Sequence, residues 1–243
     1  MTPRDIYLLH FDGNFTDEVV GNTWVAGAAG AATSATQKKY GSAALRYNAS
    51  ADRVFELEAG ANTGGSDAWS TGSWCADGYV YPTATRAPGT GNFNPLIVDV
   101  NTATGALVSV QLTDTSTIET IYTSDQSSFQ LVDTTVSLSI NTWYHIRFSC
   151  DGTNTYLFLD GSLIATTAVT PGDTLTGPVS FALIQNLSIS TTMDLTYIDE
   201  CRFVAGDAIA TSSFPPLTNP FVPYVPPAVS DFWTNFNRSY EIP

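Results

Sequence analysis

Asn141-Thr142-Trp143-Tyr144-His145-Ile146-Arg147-Phe148-Ser149-Cys150-Asp151-Gly152-Thr153-Asn154-Thr155-Tyr156-Leu157-Phe158-Leu159-Asp160-Gly161-Ser162-Leu163-Ile164-Ala165-Thr166-Thr167 reads as three antiparallel strands in a row. From Trp143 to Cys150 the residue types alternate. Trp143, His145, Arg147 and Ser149 fall on one side, and Tyr144, Ile146, Phe148 and Cys150 on the other. A period of two marks a strand with one buried face. Asp151-Gly152 then turns the chain, because glycine accepts the positive φ that tight hairpins need. Thr155 to Leu159 is a second run, rich in aromatic and branched residues. Asp160-Gly161 turns it again, and Leu163 to Thr167 returns.

The same pattern extends outward. Asp5 to Phe11 alternates Ile6, Leu8 and His10 against Tyr7, Leu9 and Phe11, and Asp12-Gly13-Asn14 ends it in a turn. Further strands are expected over 43–47, 53–57, 73–81, 96–100, 106–112, 118–122, 129–132, 179–184 and 193–204. Residues 21–35 form a Gly/Ala-rich loop with short extended pieces. Residues 62–71 are polar and Gly-rich, with Trp69 anchoring a single helical turn. Residues 82–95 form a long loop holding Pro82, Pro88 and Pro95. Short strands separated by turn residues predict an all-β sandwich or jelly roll, not βαβ units.

Four segments carry a family resemblance. They are the Trp143–Thr167 meander, Leu8-Leu9-His10-Phe11-Asp12-Gly13, Lys39-Tyr40-Gly41-Ser42-Ala43-Ala44-Leu45-Arg46-Tyr47, and Tyr197-Ile198-Asp199-Glu200-Cys201-Arg202-Phe203. In this order they resemble laminin-G-like domains of the concanavalin A-like lectin/glucanase fold. Trp74, Tyr79, Val80 and Tyr81 are similar to that family's central strand. The resemblance implies an all-β, concanavalin A-like jelly-roll sandwich over residues 1–213. It implies no one function, because a fold hosts many. Where the family has a later Gly-Val-Ala-Arg-Tyr segment, this chain has Gly206-Asp207-Ala208-Ile209-Ala210, without the basic residue.

Composition narrows the classes. Lys and Arg total 9 against 23 Asp and Glu, a net charge of −14. That disfavours nucleic-acid binding, which needs a basic patch against phosphates. No run approaches the ~20 apolar residues of a membrane span. Met1-Thr2-Pro3-Arg4-Asp5 does not open a secretion signal, since no apolar stretch follows a basic one. Cys75, Cys150 and Cys201 are odd in number and widely spaced, with neither a disulfide framework nor a zinc pattern. Buried free thiols are expected, with a Cys150–Cys201 bridge as the alternative if their strands are neighbours.

The chemistry-bearing residues disfavour an enzyme. A retaining glycosidase needs two carboxylates ~5 Å apart. Glu56-Leu57-Glu58 is the single Glu-x-Glu and has no third acid nearby. Asp199 and Glu200 are adjacent, so they are expected on opposite faces of their strand. His10 and His145 lie within strand patterns and read as structural. No catalytic residue is assigned. No cofactor is expected, or else Ca²⁺, for which Asp12, Asn14 and Asp17 in the first turn, with Asp199 in the closing strand, supply hard oxygen ligands. Trp24, Trp69 and Phe93, in or beside loops, are the candidate platforms for stacking on a sugar. Trp74 and Trp143 are assigned to the core.

From Phe214 the composition changes. Residues 214–227 hold six prolines, which cannot donate to a ladder, so 214–243 reads as an extended arm of polyproline character. The arm carries Phe221, Tyr224, Phe232, Trp233, Phe236 and Tyr240. An aromatic tail docks on something, either its own sandwich or a partner subunit. An Ile-Asp-Glu-x-Arg closing strand that runs into a Phe-Pro-Pro…Pro-Phe segment resembles structural proteins of tailed bacteriophages. That resemblance implies a non-enzymatic component of the particle surface, a head decoration or a tail or fibre module. Its expected partners are other virion proteins and copies of itself. A carbohydrate-binding module for cell-surface attachment is the alternative, and a hydrolase the third class.

Overall fold

The structure is a computed structural model that describes residues 3–19, 24–26, 31–47, 53–57, 72–83, 94–102, 105–112, 117–122, 130–169, 180–185 and 196–225. The described residues form strands and no helix. In chain order these are β1 (Arg4–Leu9), β2 (Trp24–Ala26), β3 (Ala31–Ser34), β4 (Ala44–Tyr47), β5 (Arg53–Leu57), β6 (Trp74–Pro82), β7 (Asn94–Thr102) and β8 (Gly105–Leu112). They continue as β9 (Thr117–Tyr122), β10 (Gln130–Ser137), β11 (Tyr144–Cys150), β12 (Asn154–Leu159), β13 (Ser162–Ala168), β14 (Ser180–Gln185) and β15 (Thr196–Ala205). One sheet runs β13-β12-β11-β6-β15-β4-β3, with β1 also on β15; the other runs β10-β9-β8-β7-β14-β5-β2. β4 pairs with residues 196–198 of β15, and β1 with residues 201–205.

The two sheets close on one apolar layer. Trp74, Phe148, Ile198 and Phe203 of the first meet Ile97, Val108, Val110 and Ile118 of the second. The Trp74 ring stacks on Phe203 at 5.9 Å and meets Phe148 edge-on at 5.1 Å, offset and T-shaped geometries that suit ring quadrupoles. This is an all-β antiparallel sandwich of the concanavalin A-like type.

The central meander forms as its alternation predicts, with Ile146, Phe148 and Cys150 of β11 in the core. The second Asp-Gly turn has positive φ at both Asp160 (+49°) and Gly161 (+83°), the hairpin geometry that matches strand twist. Two details differ from expectation. The first strand ends at Leu9, because Phe11 takes φ +58° and the chain bends there. Trp143 leaves the core: it is half-buried on the outer side, 5.3 Å from the Tyr81 ring. The three cysteines are free and buried as expected, and Cys150 and Cys201 lie on β11 and β15, strands separated by β6.

Candidate functional site

The outer face of the eight-stranded sheet is where the polar half of the alternation goes. Asp77 of β6 sits in register with Arg147 of β11 on one side and Arg202 of β15 on the other. The three side chains therefore meet across adjacent strands. Arg147 donates from Nε to Asp77 Oδ1 at 2.6 Å and from Nη2 to Oδ2 at 3.2 Å, a two-pronged contact. Arg202 donates from Nη2 to Oδ2 at 2.8 Å, and His145 Nε2 lies 3.1 Å from Oδ1. All four residues are buried, Asp77 completely. Burial alone would raise the Asp77 carboxyl, but Arg147, Arg202 and His145 outweigh it and hold the group well below the usual carboxylate range.

A strap covers this network. Residues 214–225 cross the outer face, so the described part of the arm lies along its own sandwich. Phe214 docks first: its N–H donates to Gly161 O at 2.9 Å, and its ring lies 4.3 Å from the Arg147 guanidinium. Gly161 has to be glycine for this approach, since a Cβ there would stand 2.2 Å from Phe214 O. Tyr40 and Tyr79 both donate their hydroxyls to Leu217 O, at 3.2 and 3.3 Å. Phe221 is buried over Arg202, with 4.7 Å from guanidinium to ring centre. Its N–H donates to Glu200 Oε2 at 2.8 Å. Tyr224 closes the strap, its N–H on Asp5 and its hydroxyl on Asp207. Phe221 and Tyr224, candidates for partner contact, are thus engaged within the chain. Phe232, Trp233, Phe236 and Tyr240 lie outside the described residues.

Beside the strap, β15 is irregular between Asp199 and Arg202. Glu200 takes φ +53°, and Ile198 and Cys201 both stay in the inter-sheet core. Two residues are fitted where strict alternation allows one. Asp199 and Glu200 therefore both lie outside the core, not on opposite faces as their adjacency suggested. Asp199 Oδ2 accepts the N–H of Lys39 at 2.8 Å and of Tyr40 at 3.1 Å. Glu200 receives His10 Nδ1 at 2.9 Å as well as Phe221. Burial pushes the Asp199 carboxyl up to about 7, against the lowering effect of the Tyr40 and Lys39 N–H groups. The hydrogen bond to Glu200 raises the His10 pKa in spite of burial. Asp12 holds the other end of the same loop through the N–H and hydroxyl of Ser42. Gly41, at φ +55°, lies so close that a Cβ would stand 1.9 Å from Asp12 Oδ1.

The expected calcium ligands do not converge. Asp12 and Asp199 hold opposite ends of the 39–42 loop, and Asn14 accepts the Thr16 N–H at 2.9 Å. Asp17 accepts from Leu8 and Val19 N–H and from Trp24 Nε1. Among the described residues no group of three or more His, Cys, Asp or Glu is placed to hold a metal. Trp24 is no sugar platform: it is buried in the core, edge-on to Tyr7 at 5.2 Å. Its indole N–H donates at 2.8 Å to Asp17, an acid of the turn after β1, which draws the ring inward. Trp69, Phe93 and Glu58 lie outside the described residues. The Asp77 network was not foreseen, although an Asp inside Trp74-Cys75-Ala76-Asp77-Gly78-Tyr79-Val80 was its signal. A carboxylate amid a buried strand needs cationic partners.

The family whose pattern matches, over residues 56–204, is the laminin-G type of the concanavalin A-like lectin/glucanases superfamily. The chain belongs to this family. Comparison with curated proteins gives no match. Among solved structures it is similar to the binding domain of Paraclostridial Mosquitocidal Protein 1, at 12% identity and a TM-score of 0.66, covering 84% of this chain and 49% of that one. It is also similar to the botulinum neurotoxin type G receptor binding domain, at 13% identity and a TM-score of 0.61, covering 84% and 48%. A third is a botulinum neurotoxin type C structure described as dependent for cell entry on two ganglioside molecules, at 11% identity and a TM-score of 0.58, covering 84% and 48%. The chain spans about half the length of these structures, and at such identities the likeness is one of fold.

Proposed function

We propose that this chain is a non-enzymatic structural module of a tailed-bacteriophage particle, a head decoration or a tail or fibre component. In this reading it assembles on the particle surface with other virion proteins and with copies of itself, through its C-terminal arm. The observation that carries the reading is the strap. Residues 214–225 are fastened to the sandwich at both ends, so the segment that follows, with Phe232, Trp233, Phe236 and Tyr240, starts from a fixed point. The described carboxylates support a structural role too. Asp17, Asp77, Asp199 and Glu200 each hold parts of their own chain together. The test compares the full chain with a chain ending at Val225, by light scattering and by incorporation into particles. The reading expects the shortened chain to fold normally and to fail to assemble; equal incorporation would overturn it.

A glycan-binding attachment module is the second reading. It is favoured by the likeness to toxin receptor-binding domains, one of them described with gangliosides. Here Trp69 and Phe93 are the stacking residues left to test. Their replacement by alanine is expected to abolish retention on a glycan array without unfolding, and unchanged retention would remove that surface.

A further inference from the structure

The strap does not lie flush on the sheet. Between them is a cavity of about 550 Å³, with Arg147 and Arg202 in its lining and Ile209, Phe214, Thr218 and Phe221 among its walls. That volume is in the usual range for a small-molecule site. Its charge is unusual for this molecule. The chain is strongly acidic and has only 9 Lys and Arg, yet two of them line this one space. Asp77 pairs with both guanidinium groups, and Asp5, Glu200 and Asp207 stand near the rim, where they hold Tyr224, Phe221 and Ile209. Arg147, which lines the cavity, uses Nε and Nη2 on Asp77, and its Nη1 makes no hydrogen bond among the described residues. Arg202 Nε is also unpaired.

The wall opposite is held under strain. Ile209 takes φ +58°, an outlier for a branched side chain. Ala210 N–H donates to Ala208 O at 2.6 Å across it, which makes a γ-turn of the rarer hand. Asp207 braces the turn by accepting the Ile209 N–H at 2.8 Å. Backbone strain of this kind persists where the surroundings over-determine it, and ligand clamps are one such place.

We infer that this cavity is a binding site for a small organic carboxylate. The Arg147 edge would take the carboxylate in a charge-assisted pair, and the Phe and Pro walls would take a ring or apolar body. A bare inorganic anion satisfies the first requirement and not the second. The inference goes beyond the assembly reading and does not depend on it, since particles can assemble with the cavity empty.

The test is calorimetric titration of the full chain with four probes: benzoate, glucuronate, glucose and inorganic phosphate. Saturable binding is expected for benzoate or glucuronate, at least about tenfold tighter than for glucose or phosphate. Preference for benzoate points to an apolar-bodied acid as the source, and preference for glucuronate to an acidic sugar. Arg147→Lys, which loses the planar fork, is expected to weaken binding by about tenfold. Because that variant also disturbs Asp77, the exposed rim offers a second one. Thr218→Glu is expected to weaken carboxylate binding about threefold relative to Thr218→Gln. No saturable binding of either carboxylate would overturn the inference. So would equal binding of glucose or phosphate, or identical affinities in the two Thr218 variants.

Discussion

Along β6, β11 and β15 the two faces of the eight-stranded sheet are both buried, by opposite means. The inner face is sealed by another sheet and filled with apolar side chains such as Trp74, Phe148 and Phe203. The outer face is sealed by a strap of irregular chain and filled with Asp77, His145, Arg147 and Arg202. An apolar core tolerates loss of a member in proportion to the volume removed. A charge network is stable only while complete, because removing one partner strands another in low dielectric. The strap is what turns an ordinary solvated sheet face into such a network.

That contrast gives its largest test at Asp77. Asp77→Ala leaves Arg147 and Arg202 buried without a counter-charge, and is expected to cost about 3–5 kcal/mol in denaturant unfolding. Phe148→Ala on the inner face is expected to cost a similar amount through its cavity. The two separate on repair. Replacing Asp77, Arg147 and Arg202 together by apolar residues of like volume is expected to recover most of the loss. A triple variant as unstable as Asp77→Ala would erase the distinction drawn between the faces.

Acid and base act differently on the outer face. Asp199 is raised to about 7 from 3.8, so between those values the folded state keeps a proton that the unfolded chain releases. Stability therefore falls as pH rises through that window, by up to about 4 kcal/mol. His10, raised from 6.5 by Glu200, adds stability that is complete below 6.5 and is lost as pH rises through its folded pKa. Asp77 runs the other way: its contribution is present above 3.8 and lost on acidification. Thermal melts are expected to peak on the acid side of neutrality. Asp199→Asn is expected to flatten the slope between pH 4 and 7, and an unchanged slope would rule out Asp199 as its source.

Phe221→Ala is a smaller perturbation. It uncovers Arg202 and removes one buried ring, for about 2–3 kcal/mol. It is expected to raise hydrogen exchange at the Phe221 neighbours of the strap while leaving β11 and β12 protected. Loss of protection across the whole sheet would show the strap and core to be one cooperative unit.

The inner face was legible in the sequence because its signal is local. Alternation in Trp143–Cys150 and glycine in the two Asp-Gly turns fix strands and hairpins wherever the rest of the chain lies. The outer face was not, because what buries it is distant in sequence. His145 and Arg147 share one side of their strand, but what covers that side, Phe214 and Phe221, lies more than sixty positions later. Asp199 and Glu200 were assigned opposite faces for want of the bulge, which no residue type announces. Trp24 read as a loop aromatic because the acid that draws it inward, Asp17, belongs to another turn. The arm left two readings open, and its described part, residues 214–225, lies in cis.

The most direct measurement is a pair of melts, on a chain ending at Val225 and on one ending at Ser213. If the strap completes the sandwich, the first melts like the full protein and the second at least about 5 °C lower. Equal melting temperatures for all three chains would mean that the outer network stands without its cover, contradicting the central claim.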